Sequence, residues 1–195
     1  MSTPVRARLY DAEGHDRDVE IEPGMVSSLE DRQLLWIDVG GRDREDLERV
    51  AAATVMGARL TGRLARETGC ADLTLYPDHI HLVTEAMDPA SSGALDASPA
   101  RELDLVAGRN WIVTVHSGAM AALDSIDELT DGETRFGALD AASFLASIVD
   151  EVLAGYLNLA EEIEREIDQL DERALKARRD DDVCWRDRGR WRGWL

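Results

Sequence analysis

This sequence predicts an α/β fold: a mixed sheet flanked by helices in three layers, α/β/α, and extended by one long C-terminal helix. Three observations carry the expectation. Short apolar or alternating segments bounded by Gly- and Pro-containing turns recur at Val5–Tyr10, Leu34–Val39, His79–Ala86 and Asn110–His116, as strands do. Helical spacing separates the second and third of these, over Asp43–Val55 and Ala58–Glu67. From Ala138 to Arg179 there is no proline and only one internal glycine, Gly155, while apolar residues recur at helical steps. The organisation expected is an α/β unit over 1–137, a long amphipathic helix over 138–179, and an atypical basic tail rich in Trp and Arg over 180–195.

Taken in order, Val5–Tyr10 alternates polar and apolar residues, turns at Asp11–Gly14 and returns through Asp18–Ile21, a hairpin closed by Pro23-Gly24. Leu34–Val39, bounded by Gly40-Gly41, reads as a strand buried on both faces. Asp43 then reads as the N-cap of a helix through Leu47, Val50, Ala51 and Val55, with Glu45, Asp46 and Glu48 near the positive end of its dipole. A second helix is expected over Ala58–Glu67 and a strand over Leu73–Tyr76. The Pro- and Ser-containing stretch Asp88–Ala100 has the composition of a mobile surface loop. A further hairpin joins Glu102–Ala107 to Asn110–His116, and a helix follows over about Ala119–Leu129.

The long helix has a stripe at Leu145, Val149, Val152, Tyr156, Leu159, Ile163, Ile167, Leu170 and Ala174. At about 1.5 Å per residue such a helix would be on the order of 60 Å long. Its second half is crowded with Glu161, Glu162, Glu164, Glu166, Asp168, Asp171 and Glu172 against Arg165 and Arg173. Formal net charge is −18, and it is unevenly placed. Lys176–Leu195 holds seven basic and four acidic residues, leaving 15 basic and 36 acidic ones in residues 1–175. Such a body repels phosphate backbones, so nucleic acid is not expected as a partner, whereas divalent cations or basic proteins are compatible. Cys70 and Cys184 stand apart, as in a reduced, cytosolic chain. No signal peptide is apparent, and no apolar run reaches the roughly 20 residues of a membrane helix.

Three segments, in order, resemble the cytoplasmic domain of the CorA family of divalent-cation transporters. They are Leu35-Trp-Ile-Asp-Val-Gly with the helix after it, Asn110-Trp-Ile-Val-Thr-Val-His, and Ile148-Val-Asp through Tyr156 to Glu162-Ile-Glu-Arg-Glu-Ile-Asp-Gln-Leu-Asp-Glu. The match covers roughly Leu34–Leu175. The resemblance implies a pentameric homo-oligomer at the cytoplasmic face of the membrane that senses Mg²⁺ and closes a pore; Co²⁺ or Zn²⁺ are alternatives, and no organic cofactor is implied. The family's stalk, two membrane helices and Gly-Met-Asn motif are not in this sequence, so contact with a membrane is expected only through those helices. The regulatory carboxylate of such proteins lies in a Leu-Glu-Asp segment of the second helix. The corresponding stretch here is Arg63-Leu-Ala-Arg-Glu-Thr68, which makes Glu67 the nearest candidate.

The candidate metal ligands are therefore Glu67 with Glu162, Glu166 and Asp168 of the long helix, since hard ions such as Mg²⁺ prefer carboxylate and water oxygens. The candidate packing stripe is Val149, Val152, Tyr156, Ile163, Ile167 and Leu170. The same acids also suit a solvated helix face with pairs such as Glu161–Arg165 and Glu162–Arg165. His79 and His81 share a strand face without an evident third ligand, which suits half-buried, hydrogen-bonded rings. Asp38 and His116 end predicted strands and could converge in a cleft, although capping or loop bonds explain them more simply. No phosphate loop, His-Glu-x-x-His or Gly-x-Ser-x-Gly motif appears, so an enzyme is not expected. An alternative is an interaction module that binds a partner through the long helix.

Overall fold

The computed structural model describes residues 5–87, 100–130 and 140–190, with side chains described to Lys176 in the last stretch. The expected loop over Asp88–Ala100, apart from Ala100 itself, and the turn leading into the long helix lie outside the described residues. In chain order the elements are β1 (Val5–Asp11), β2 (Arg17–Asp18), a 3-10 turn (Met25–Ser28), β3 (Gln33–Val39), α1 (Arg44–Ala53), α2 (Ala58–Leu64), β4 (Asp72–Leu75), β5 (Ile80–Met87), β6 (Ala100–Ala107), β7 (Trp111–His116), α3 (Ala121–Leu129) and α4 (Ala141–Arg190).

The strands form one sheet in the order β2-β1-β3-β7-β6-β5-β4. At its centre β3 and β7 run parallel, with Trp36 beside Ile112 and Asp38 beside Thr114. The other neighbouring pairs are antiparallel. This is the mixed sheet the sequence predicts.

Burial on both faces follows from the period of two in β3. Leu34 and Trp36 join the core that holds Leu123, Ile126, Phe144, Ile148 and Val152 of α3 and α4. Leu35, Ile37 and Val39 join the opposite core with Leu47, Val50, Leu60 and Leu64 of α1 and α2. Consecutive residues thus feed separate cores, which is why the run is continuously apolar. Phe144 is wholly buried and packs at 5.5 Å, edge to face, on Trp36 and at 5.8 Å on Tyr10. Burying a side chain of this size contributes about 2 kcal/mol, with rather more from the ring pairs.

The caps explain where helices begin. Asp43 accepts a hydrogen bond from the Glu45 amide at 2.9 Å, as its N-cap position predicts. Asp140 accepts from the Ser143 amide at 2.8 Å and so opens α4.

Several expectations are revised. The second helix ends at Leu64, not Glu67, because Arg42 donates to the Leu64 carbonyl at 2.9 Å and Gly69, at φ 66, turns the chain. Val55 lies outside α1 and is exposed. The backbone of α4 continues past Arg179 to Arg190, through much of the stretch expected not to follow the helix. In addition, Ala141–Lys176 contains a window that is long and apolar enough, by length and composition alone, to cross a membrane, where the sequence reading found no such run. Of that window 22% is buried. Phe144, Leu145, Ile148 and Val152 supply burial, while Leu153 and Leu157 are exposed.

The described chain divides into two compact units, Met1–Gly155 and Tyr156–Leu195. The first contains the sheet and the start of α4. The second contains the rest of α4, to Arg190.

Candidate functional site

Three groups of charged residues stand out, two buried in the α/β unit and one on α4. The first gathers at the end of β3. Asp38 is buried and accepts the Thr114 hydroxyl at 2.6 Å, while Thr114 itself accepts the Trp36 indole N–H at 3.1 Å. His116 Nε2 meets the same Asp38 oxygen at 3.1 Å, and its Nδ1 meets the Gly118 carbonyl at 2.7 Å. The other Asp38 oxygen faces Arg6 at 3.2 Å, and Arg6 also binds Asp127 of α3 at 2.8 Å.

Burial pushes the Asp38 carboxyl up, but the hydrogen bond and charge of His116, the Thr114 hydroxyl and the Arg6 charge together hold it below its ordinary value. The convergence considered for Asp38 and His116 thus occurs. The Asp38 bonds to Arg6, Thr114 and His116, with that of Arg6 to Asp127, tie β1, β3, β7 and α3 together. A cavity of about 310 Å³ opens beside it, lined in part by Arg6, Arg8, Asp18 and Asp127.

The second group surrounds Arg42, which follows β3 through Gly40-Gly41. Its guanidinium lies 2.7 Å from Asp104, 3.2 Å from Glu102 and 3.8 Å from Glu67. Asp104 also meets His81 Nε2 at 2.7 Å. Glu102 accepts from the Thr68 amide at 2.7 Å, the Thr68 hydroxyl at 3.0 Å and the Gly69 amide at 2.7 Å. One cation therefore serves three carboxylates and fastens the chain after α2 to β6. Glu67 lies at the rim with 54% of its side chain exposed.

His81 is fully buried and His79 nearly so, stacked at 4.5 Å on Tyr76 and bonded to Asp78 at 2.7 Å. Both rings have structural partners. Sequence reasoning missed Arg42, Glu102 and Asp104. The available signal was the alternation in Glu102-Leu-Asp-Leu105, which places two acids on one face of a strand buried on both, where they require a cation.

The third group is on α4. Val152 is buried and Val149 partly so, whereas Tyr156, Ile163, Ile167 and Leu170 are exposed by 38%, 48%, 52% and 60%. Glu162, Glu166 and Asp168 are exposed as well. At about 100° per residue, Glu162 and Glu166 flank the apolar stripe on one side and Glu164, Asp168 and Asp171 flank it on the other. A single copy of the helix therefore cannot bring Glu166 and Asp168 onto one ion. In keeping with this, no group of three or more His, Cys, Asp or Glu among the described residues is arranged to hold a metal.

Comparison with known proteins places this architecture. Residues 31–184 match the model of the family described as CorA-like Mg²⁺ transporter protein. The chain belongs to that family. Among solved structures it resembles the soluble domain of CorA from Methanocaldococcus jannaschii, with a TM-score of 0.70 and 15% identity over 90% of this chain and 66% of that one. It also resembles the full-length CmaX protein, with a TM-score of 0.68 and 14% identity over 86% of this chain and 50% of that one. A third neighbour is the ZntB cytoplasmic domain from Vibrio parahaemolyticus RIMD 2210633, with a TM-score of 0.59 and 13% identity over 84% of this chain and 65% of that one.

At these identities the likeness is one of fold. The sheet, flanking helices and long C-terminal helix are those of the CorA soluble domain. The chain spans half the length of the full-length CmaX chain. No curated protein sequence matches it.

Proposed function

We propose that this chain is the cytoplasmic, divalent-cation-sensing part of a CorA-like transporter, assembling as a homo-oligomer in which Mg²⁺ bridges copies of α4. The supporting observation is the split of acids across the apolar stripe. In a ring of copies the contact is heterologous, so one flank of each helix meets the opposite flank of the next. Glu162 and Glu166 of one copy then approach Asp168 of its neighbour, a loose set of carboxylates suited to a hydrated Mg²⁺ ion. Glu67, which lies 3.8 Å from the Arg42 guanidinium, is not part of this bridge. Bridging cations lower the repulsion between acidic bodies and favour the closed ring, and their loss lets the copies separate. Co²⁺ and Zn²⁺ are alternative ions for the same oxygens.

The exposed Ile163, Ile167 and Leu170 also favour a second reading, an interaction module whose α4 binds a different protein. Titration with MgCl₂ followed by light scattering separates the two. Cation-dependent growth or tightening of a homo-oligomer, weakened by Glu162→Gln with Glu166→Gln, is expected. Indifference to millimolar Mg²⁺ would overturn the sensing reading in favour of the second.

A further inference from the structure

His79, His81 and His116 are all buried, and their surroundings differ in a way that decides where protons sit. The His79 ring meets Asp78 through Nδ1, and the His81 ring meets Asp104 through Nε2; the remaining nitrogen of each is buried without a hydrogen-bond partner. His116 has an oxygen on both sides, the Gly118 carbonyl at 2.7 Å from Nδ1 and Asp38 Oδ1 at 3.1 Å from Nε2. A carbonyl can only accept, so Nδ1 carries a proton. The second proton is decided by Asp38. Its Oδ1 accepts the Thr114 hydroxyl, whose own oxygen accepts the Trp36 indole N–H, and its Oδ2 accepts from Arg6. Such donors favour the ionised carboxylate, which also can only accept, so Nε2 carries a proton as well.

We infer that His116 is kept as a buried imidazolium, and that this makes it an alkali-sensitive latch between the sheet and the start of α3. One nitrogen holds the end of β7 to β3. The other holds the Gly118 turn, at φ 77, two residues before Met120, whose carbonyl accepts the Leu123 and Asp124 amides in the first turn of α3. Arg6 carries the same chain of contacts on to Asp127, near the other end of α3.

The charged groups around the ring come from several elements. Asp38 faces it from β3, with Arg6 of β1 and Asp127 of α3 behind, and Arg101 of β6 donates to the Ser117 carbonyl at 3.3 Å. The β6 residue opposite His116 is Leu103, and the α4 residues in the core on this face, Ala141, Phe144, Leu145, Ile148 and Val152, are apolar. Loss of either ring proton removes one of the two links and sets a lone pair against an oxygen. Unfolded histidine releases its second proton near about 6.5. The latch therefore stabilises fully below that value, and its contribution is lost as pH rises through the point at which the folded ring deprotonates.

The test uses the full chain with nitrogen-15 in its histidines. At pH 7 the ring identified by its contacts with Thr114 and Gly118 should show a directly bonded proton on each nitrogen. Asp38→Asn, which removes the charge and keeps the shape, should leave only the Nδ1 proton. Between pH 6 and pH 9 the unfolding constant of the parent should rise relative to that of Asp38→Asn, by about tenfold for each pH unit over which the folded ring keeps a proton that the unfolded one has released. Groups common to both chains, such as Cys70 and Tyr10, cancel in this comparison. Over the same range, hydrogen exchange at the Leu123 and Asp124 amides, corrected for its intrinsic rate, should quicken severalfold in the parent and hold steady in the variant. A single ring N–H in the parent at pH 7, two in Asp38→Asn, parallel unfolding profiles, or exchange that changes alike in both chains would overturn the inference. The first of these needs no variant, so it stands even where Asp38→Asn folds poorly.

Discussion

Replacing Asp38 by Ala tests whether the network at the end of β3 holds the sheet to α3. Asp38 accepts three hydrogen bonds, from Thr114 at 2.6 Å, His116 at 3.1 Å and Arg6 at 3.2 Å. The Arg6 side chain is 50% exposed, so water replaces that partner and its share is discounted. The Thr114 and His116 bonds are buried and charge-assisted, at about 2 kcal/mol each. Leaving their donors without an acceptor brings the expected loss to roughly 3–5 kcal/mol, or a fall in Tm on the order of 10 °C.

The sign of the pH dependence follows from the depressed Asp38 carboxyl. Its stabilisation is present above the ordinary aspartate value near about 4 and is lost as pH falls through the lower folded value. Urea unfolding of the parent and Asp38→Ala chains, from neutral pH down to the acid limit of folding, should show a gap that narrows on acidification. Equal midpoints at neutral pH, or a gap that does not change with acid, would refute the account.

Other perturbations probe separate parts of the fold. Phe144→Ala removes the ring between Tyr10 and Trp36 and should cost about 3–5 kcal/mol in denaturant unfolding, with an unchanged m-value. Arg42→Ala leaves Glu102 and Asp104 buried without their cation and should cost about 3–5 kcal/mol. Hydrogen exchange should then quicken at the Thr68 and Gly69 amides, whose acceptor Glu102 is set free. Gly108→Ala would place its Cβ on the Trp111 indole and should cost about 1–3 kcal/mol of stability, read as a lower urea midpoint.

What the sequence made legible was local. The run Leu34–Val39, the Asp43 cap and the strand ending at His116 each depend on residues within one element, and each forms nearly as read. The end of α2 depends on Arg42, more than twenty positions earlier in the chain, and the loop after it depends on Glu102, more than thirty positions later. No periodicity reports such contacts.

Burial along the α4 stripe is set by contacts of the same long-range kind. Spacing averaged over Leu145–Ala174 gives the mean apolar direction of the whole helix. Burial in the core is found in its first turns, where Ala141, Phe144 and Ile148 are wholly buried and Val149 only partly so. The candidate ligands Glu162, Glu166 and Asp168 were legible as an acidic segment. Their division between two flanks follows once the helix is continuous.

Under the bridging proposal, that division would make the valence of the cation, and not its contribution to ionic strength, the decisive variable. Exposed Ile163, Ile167 and Leu170 favour packing α4 against another copy, whereas seven acids against two arginines over Glu161–Arg173 oppose it. Monovalent salt screens charges lying more than about 10 Å apart at 0.1 M, but leaves adjacent carboxylates at an interface largely unscreened. A divalent ion held between flanks converts that repulsion into a bridge. Assembly measured in MgCl₂ and in NaCl of equal ionic strength should therefore differ, with Mg²⁺ the more effective. Glu162→Gln with Glu166→Gln should assemble more readily without Mg²⁺ and respond less to it, since the substitutions remove repulsion and ligands together. Equal assembly in the two salts would mean that screening alone accounts for the acids, and the bridging role of Mg²⁺ would be withdrawn.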